Sequence, residues 1–135
     1  MKSQISRKVI FLKMGLTNRP LVSIVDDDFA VRDSLRMLFE AADFQTEVFA
    51  SAEDFLAAGH LAESSCLVLD VQLPGISGIE LQHRLRAEGN NTTVIFITAH
   101  PDEHTRQLAM RDGARQFFTK PFSGEELLTA VRANG

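Results

Sequence analysis

The sequence predicts an α/β protein in which five strands alternate with five helices and build a mostly parallel sheet covered on both faces. Three observations carry this. Short apolar runs recur along the 135 residues, amphipathic segments separate them, and serine–acid pairs mark where several helices begin.

The runs "LVSIV" (21–25), "CLVL" (66–69), "VIFI" (94–97) and "RQFF" (115–118) have the length and branching of buried strands. "QTEVF" (45–49) alternates polar and apolar residues instead, as a half-exposed edge strand does. After the first strand, Val31, Leu35, Leu38, Phe39 and Ala42 fall on one continuous helical face. The next helix opens at Ser51 with Asp54 three residues on; Ser77–Glu80 and Ser123–Glu126 repeat the spacing of a capping box. Gly59, Gly89 and Gly113 stand near the expected helix ends, where a left-handed residue closes the last turn. Between Gly89 and Gly113, residues 102–112 predict a helix with only Leu108, Ala109 and Met110 as apolar anchors. So little to bury predicts a loosely docked element.

Composition narrows the function. At 44% hydrophobic and 24% charged, the chain is an ordinary globular protein of one domain. Lys2, Arg7, Lys8, Lys13 and Arg19 all precede the first acid, Asp26, and leave nine basic against eighteen acidic residues beyond them. An acidic body argues against direct nucleic-acid binding. The expected organisation is a basic, poorly ordered extension over 1–19 and one domain over 20–135. Cys66 cannot form an internal disulfide and reads as a buried, inert thiol suited to a reducing compartment. No apolar run reaches the ~20 residues of a membrane span, and "VIFL" is too short for a signal peptide. The expectation is a cytoplasmic protein with no membrane partner.

In a parallel sheet of this kind, ligands gather at the carboxyl ends of the strands. Strand one ends in Asp26–Asp27–Asp28, strand three in Asp70, strand four in Thr98, and strand five in Thr119–Lys120. Adjacent carboxylates repel unless a cation compensates. Hard oxygen donors with room for water suit Mg²⁺. Asp70, on a strand end, is placed to act as a nucleophile on phosphorus. Lys120 and Thr98 supply positive charge and a hydroxyl for phosphoryl oxygens. Singly, each has a plainer explanation: Asp28 as cap of the next helix, Thr98 as a turn residue, Lys120 as a solvated lysine. Their convergence on one edge is what those explanations leave out.

The stretches "IVDDD", "LVLDVQLPGISGIEL", "VIFITAH" and "FFTKPF" resemble the receiver domain of two-component response regulators, over about Leu21 to Val131. "VSIVDDD", "SAEDFL" and "FFTKPF" look most like the FixJ/LuxR-type regulators. The resemblance implies a doubly wound, flavodoxin-like sheet of order 2-1-3-4-5. It implies Asp70 as phosphoacceptor, charged by a sensor histidine kinase, and Mg²⁺ (or Mn²⁺) held by Asp26, Asp27, Asp70 and the Gln72 backbone carbonyl. Thr98 and Lys120 would meet the phosphoryl group, and the Lys120–Pro121 bond would be cis. Thr98 and Phe117 would switch the helix 4–strand 5–helix 5 face, Gln72 and His100 would modulate hydrolysis, and a homodimer through helix 4 and strand 5 follows by analogy. The domain would be no enzyme beyond its own phosphorylation and dephosphorylation, and would control transcription through an output domain. A stand-alone or phosphorylation-independent interaction receiver is the alternative. A haloacid-dehalogenase-type phosphatase would want an aspartate where Gln72 stands, and "DDDFAV" would repel a dinucleotide's pyrophosphate.

Overall fold

The structure, a computed structural model, describes residues 19–59 and 63–133. The basic extension predicted over 1–19 lies outside the described residues except for Arg19, whose carbonyl accepts a hydrogen bond from Gln45 Nε2 at 2.9 Å. In chain order the elements are β1 (Leu21–Val25), α1 (Phe29–Ala41), β2 (Gln45–Phe49), α2 (Ala52–Ala58), β3 (Ser64–Asp70), α3 (Gly78–Ala87), β4 (Thr93–Thr98), α4 (Glu103–Arg111), β5 (Gln116–Thr119) and α5 (Gly124–Arg132). The five strands are parallel and ordered β2-β1-β3-β4-β5. This is the doubly wound order that the resemblance implies.

The period-two alternation of each strand sorts its side chains between two cores. Val22, Ile24, Cys66, Val68, Ile95 and Ile97 face α1 and α5, where Leu35, Phe39, Leu127 and Val131 close over them. Val25, Leu67, Leu69, Val94 and Phe96 face the other way, beneath Phe55, Leu81, Leu85 and Ala109 of α2, α3 and α4. Central β3 is therefore apolar on both faces, whereas edge strand β2 is only partly covered. Burial pushes the Cys66 thiol up to about 12, so it stays protonated and inert.

Helix starts follow the oxygens that cap them. Asp28, Ser51, Ser77, Asp102 and Ser123 each accept a backbone N–H of the first turn. β1 and β2 match their expected runs, β5 is shifted by one residue, and β3 and β4 run one to two residues beyond theirs, because ladder hydrogen bonds continue where the side chains turn polar. On α4, Ala109 is buried but Met110 is 38% exposed, so Met110 is no anchor. The Lys120–Pro121 peptide is cis.

Candidate functional site

β1 and β3 are neighbours, but the chain leaves them towards opposite faces of the sheet. That divergence opens a crevice at their carboxyl ends. Asp26, the first residue after β1, donates its N–H to the Phe49 carbonyl (3.1 Å) and is fully buried. Its carbonyl is held by Arg32 Nη1 at 2.8 Å, a tie from the first turns of α1 that no motif announces. Asp70 closes β3 and is 5% exposed. Asp27 lies between Asp26 and the helix cap Asp28 and is exposed. One carboxylate oxygen from each of Asp26, Asp27 and Asp70 lies within 4.8 Å of the other two.

Lys120 reaches the same point from the end of β5. Its Nζ donates to Asp26 Oδ2 at 2.8 Å and to Asp70 Oδ2 at 3.2 Å. The remaining oxygens are also engaged, since Asp28 N–H donates to Asp26 Oδ1 (2.9 Å) and Gln72 N–H to Asp70 Oδ1 (3.0 Å). Burial pushes the Asp70 carboxyl up to about 6; the Gln72 N–H opposes this, the Asp26 charge adds to it, and Lys120 opposes it again. For Lys120, burial works against the charge, but Asp26 and then Asp70 hold its pKa above the ordinary lysine value. One ammonium facing three carboxylates leaves the pocket short of positive charge. Hard oxygens this close fit a small divalent cation.

Thr98 is buried at the end of β4, and its Oγ1 accepts the His100 N–H at 3.1 Å. The Thr98 carbonyl accepts the Lys120 N–H at 2.7 Å, so strand end and lysine are tied through backbone. The His100 and His104 side chains are exposed. Phe117 is half-buried on β5 and packs on Phe96 with ring centroids 6.1 Å apart. Asp28 takes the plainer of its two roles and caps α1 through Ala30 N–H at 2.9 Å.

The sequence matches the response regulator receiver domain family over residues 22–132. The chain belongs to that family. Among its relatives is the transcriptional regulatory protein FixJ of Azorhizobium caulinodans, 42% identical over 113 residues, covering 84% of this chain and 54% of that protein. The response regulator TodT of Pseudomonas putida is 41% identical over 113 residues, covering 84% of this chain and 50% of that protein. This chain thus spans about half the length of the curated relatives it matches. Among solved structures, the response regulator StyR superposes with a TM-score of 0.80 at 43% identity, over 86% of this chain and 59% of that one. FixJ-N superposes at 0.75 and 34% identity, over 85% and 92%. Receiver domains of response regulators bind a divalent metal at an acidic pocket and are typically phosphorylated by sensor histidine kinases; they are generally not enzymes in the ordinary sense. In this chain Asp26, Asp27 and Asp70 form an acidic cluster. No described helix is long and apolar enough to cross a membrane.

Proposed function

We propose that this receiver accepts a phosphoryl group on Asp70 from a partner histidine kinase and passes the change to its α4–β5–α5 face. The observation that carries the reading is a buried carboxylate, Asp70, within reach of two other aspartates and bonded to a lysine. Asp26, Asp27, Asp70 and the Gln72 carbonyl would hold Mg²⁺ or Mn²⁺. When bound, that ion supplies the positive charge that lets an anionic carboxylate approach an anionic phosphoryl group. A carboxylate oxygen of Asp70 forms the new O–P bond as the P–N bond of the kinase phosphohistidine breaks, and the leaving imidazole takes up a proton. Lys120, already on Asp70 Oδ2, neutralises charge on the phosphoryl group.

Thr98 then exchanges its acceptor role toward His100 N–H for a donor role toward a phosphoryl oxygen, and Phe117 follows into the space released. Gln72 and His100, exposed beside the pocket, tune the access of water. A groove of ≈ 490 Å³, lined by Val31, Leu35, Lys120, Pro121 and Phe122 among others, opens beside the lysine. A kinase delivering phosphohistidine to Asp70 would lie across it. The kinship with transcriptional regulators supports a transcriptional output domain.

The test is intact mass after incubation with acetyl phosphate. One Mg²⁺-dependent phosphoryl adduct is expected, absent from Asp70→Asn. An adduct that persists in Asp70→Asn would overturn the assignment. No adduct with either acetyl phosphate or a kinase would favour the phosphorylation-independent interaction domain.

A further inference from the structure

The loop 71–77 joins Asp70 to α3 and carries Gln72. Its first residue is tied to β4, Val71 N–H donating to the Ile97 carbonyl (3.0 Å), and its two ends are tied to each other, the Val71 carbonyl accepting the Gly78 N–H (2.9 Å). The tip is held from a different element. Glu53, in the first turn of α2, accepts the Ile76 N–H on Oε2 at 2.9 Å. The same carboxylate lies over Gly75, where φ is +76° and any Cβ would overlap Glu53 Oε2. Glycine takes this φ without strain, and a Cβ here would push the Glu53 carboxylate off the loop. The anchor behind Glu53 is firm, because Ala52 and Phe55 on either side of it are buried and Ser51 caps the helix through Asp54 N–H at 3.0 Å.

Glu53 lies outside the Asp26–Asp27–Asp70 cluster, within the stretch "SAEDFL", and the resemblance implies no role for it. We propose that Glu53 is a positioning residue whose carboxylate clamps the loop 71–77 in the form that binds the divalent cation, by fixing where Gln72 presents its carbonyl. This rests on the metal assignment made above. The bond is of the stronger, charge-assisted kind. The Ile76 N–H, followed by Glu53's own N–H, holds the carboxyl below its ordinary range. A plainer role exists for any acid at a helix start, namely favourable interaction with the helix dipole. Asp54 occupies the same turn without a bond to the loop and serves as the control.

The experiment is a Mg²⁺ titration of the whole chain, followed by amide NMR shifts and by calorimetry. Glu53→Ala should weaken Mg²⁺ binding by about tenfold, the lower end of what losing an outer partner of a metal site does. It should also speed hydrogen exchange at Ile76. Glu53→Gln keeps an acceptor oxygen but loses the charge, so its Mg²⁺ affinity should fall between those of Glu53→Ala and the native chain. Asp54→Ala should leave Mg²⁺ affinity unchanged. Unaltered Mg²⁺ affinity in Glu53→Ala, or equal weakening in Asp54→Ala, would overturn the clamp. If the native chain binds no Mg²⁺, the metal assignment falls and the clamp's purpose falls with it. Normal binding with an unaltered Glu53→Ala affinity sinks the clamp alone.

Discussion

Helices α4 and α5 are each nine residues long, open on an oxygen cap with acid in the first turn, and carry arginine in the last. They are fastened by different physics. α5 buries Leu127, Ala130 and Val131 against the sheet, and Leu128 adds to the same core. α4 buries Ala109 alone. Its hold is polar and lies at one end: Gln82 Nε2 donates to the Ala109 carbonyl at 3.1 Å and to the Asp112 carbonyl at 3.3 Å, while Arg86 Nε donates to the Asp112 carbonyl at 2.8 Å. Caps and charges therefore say where a helix runs, and apolar residues say how firmly it lies. With one buried apolar residue and its side-chain ties gathered at the C-terminal end, α4 should cost less to displace than α5 at the end that follows Thr98 and His100. A switching element has to move at small cost.

The largest effect should come from the apolar side. Leu127→Ala empties a fully buried position and should lower unfolding free energy by about 3 kcal/mol, within the range for core leucines. Met110→Ala on α4 should change it by less than about 1 kcal/mol, because that side chain is substantially exposed. Urea unfolding of both variants checks the pair. Comparable losses would mean that α4 is docked as firmly as α5.

The second effect isolates the polar grip. Arg86 also donates Nη1 to the carbonyls of Asn90 and Thr92, each at 3.0 Å, so one guanidinium serves three carbonyls and ties the end of α4 to the α3–β4 loop. Burial lowers its pKa, with the Asp112 charge opposing, yet it remains cationic. Arg86→Ala should cost about 1–3 kcal/mol, the penalty for leaving partly buried carbonyls without donors. The loss should show as faster amide exchange around 109–114, with α5 unaffected. Arg86→Lys should not rescue it, since a single ammonium cannot span the three acceptors. A uniform rise in exchange across both helices would mean that Arg86 supports the whole fold rather than α4.

These contacts also mark what the sequence could reveal. The five strands were legible because apolar runs and ladder positions coincide, and the caps because Ser51, Ser77 and Ser123 act on their own turns. The convergence of Asp26, Asp70 and Lys120 was legible because parallel strands bring their carboxyl ends to one edge. Gln82, Arg86, Arg32 and Glu53 were not, because each binds backbone groups outside its own turn, and which distant backbone group lies within reach leaves no trace in residue type. Gln82 is buried with its Oε1 unpartnered among the described residues, while its Nε2 serves two carbonyls. A glutamine within "IELQHRL" looks like any polar position on a helix.

The smallest effect distinguishes the two helix starts by pH. The Asp102 carboxylate caps α4, accepting Thr105 Oγ1–H at 2.7 Å and Thr105 N–H at 3.1 Å. These bonds, the hydroxyl first and the N–H second, hold its carboxyl below the usual aspartate value. A depressed native pKa means the cap contributes fully above the unfolded value, about 3.9, and is lost as pH falls through the native one. Ser123, which caps α5 through Glu126 N–H at 3.2 Å, does not titrate. Lowering pH from about 5 to about 3, across the range where aspartate protonates, should therefore raise the relative exchange rate of Thr105 N–H while sparing Glu126 N–H. Asp102→Asn keeps a capping oxygen and should abolish the difference. If Thr105 and Glu126 loosen together over that range, the start of α4 depends on the stability of the whole domain rather than on its own cap, and its ease of displacement relative to α5 is lost with it.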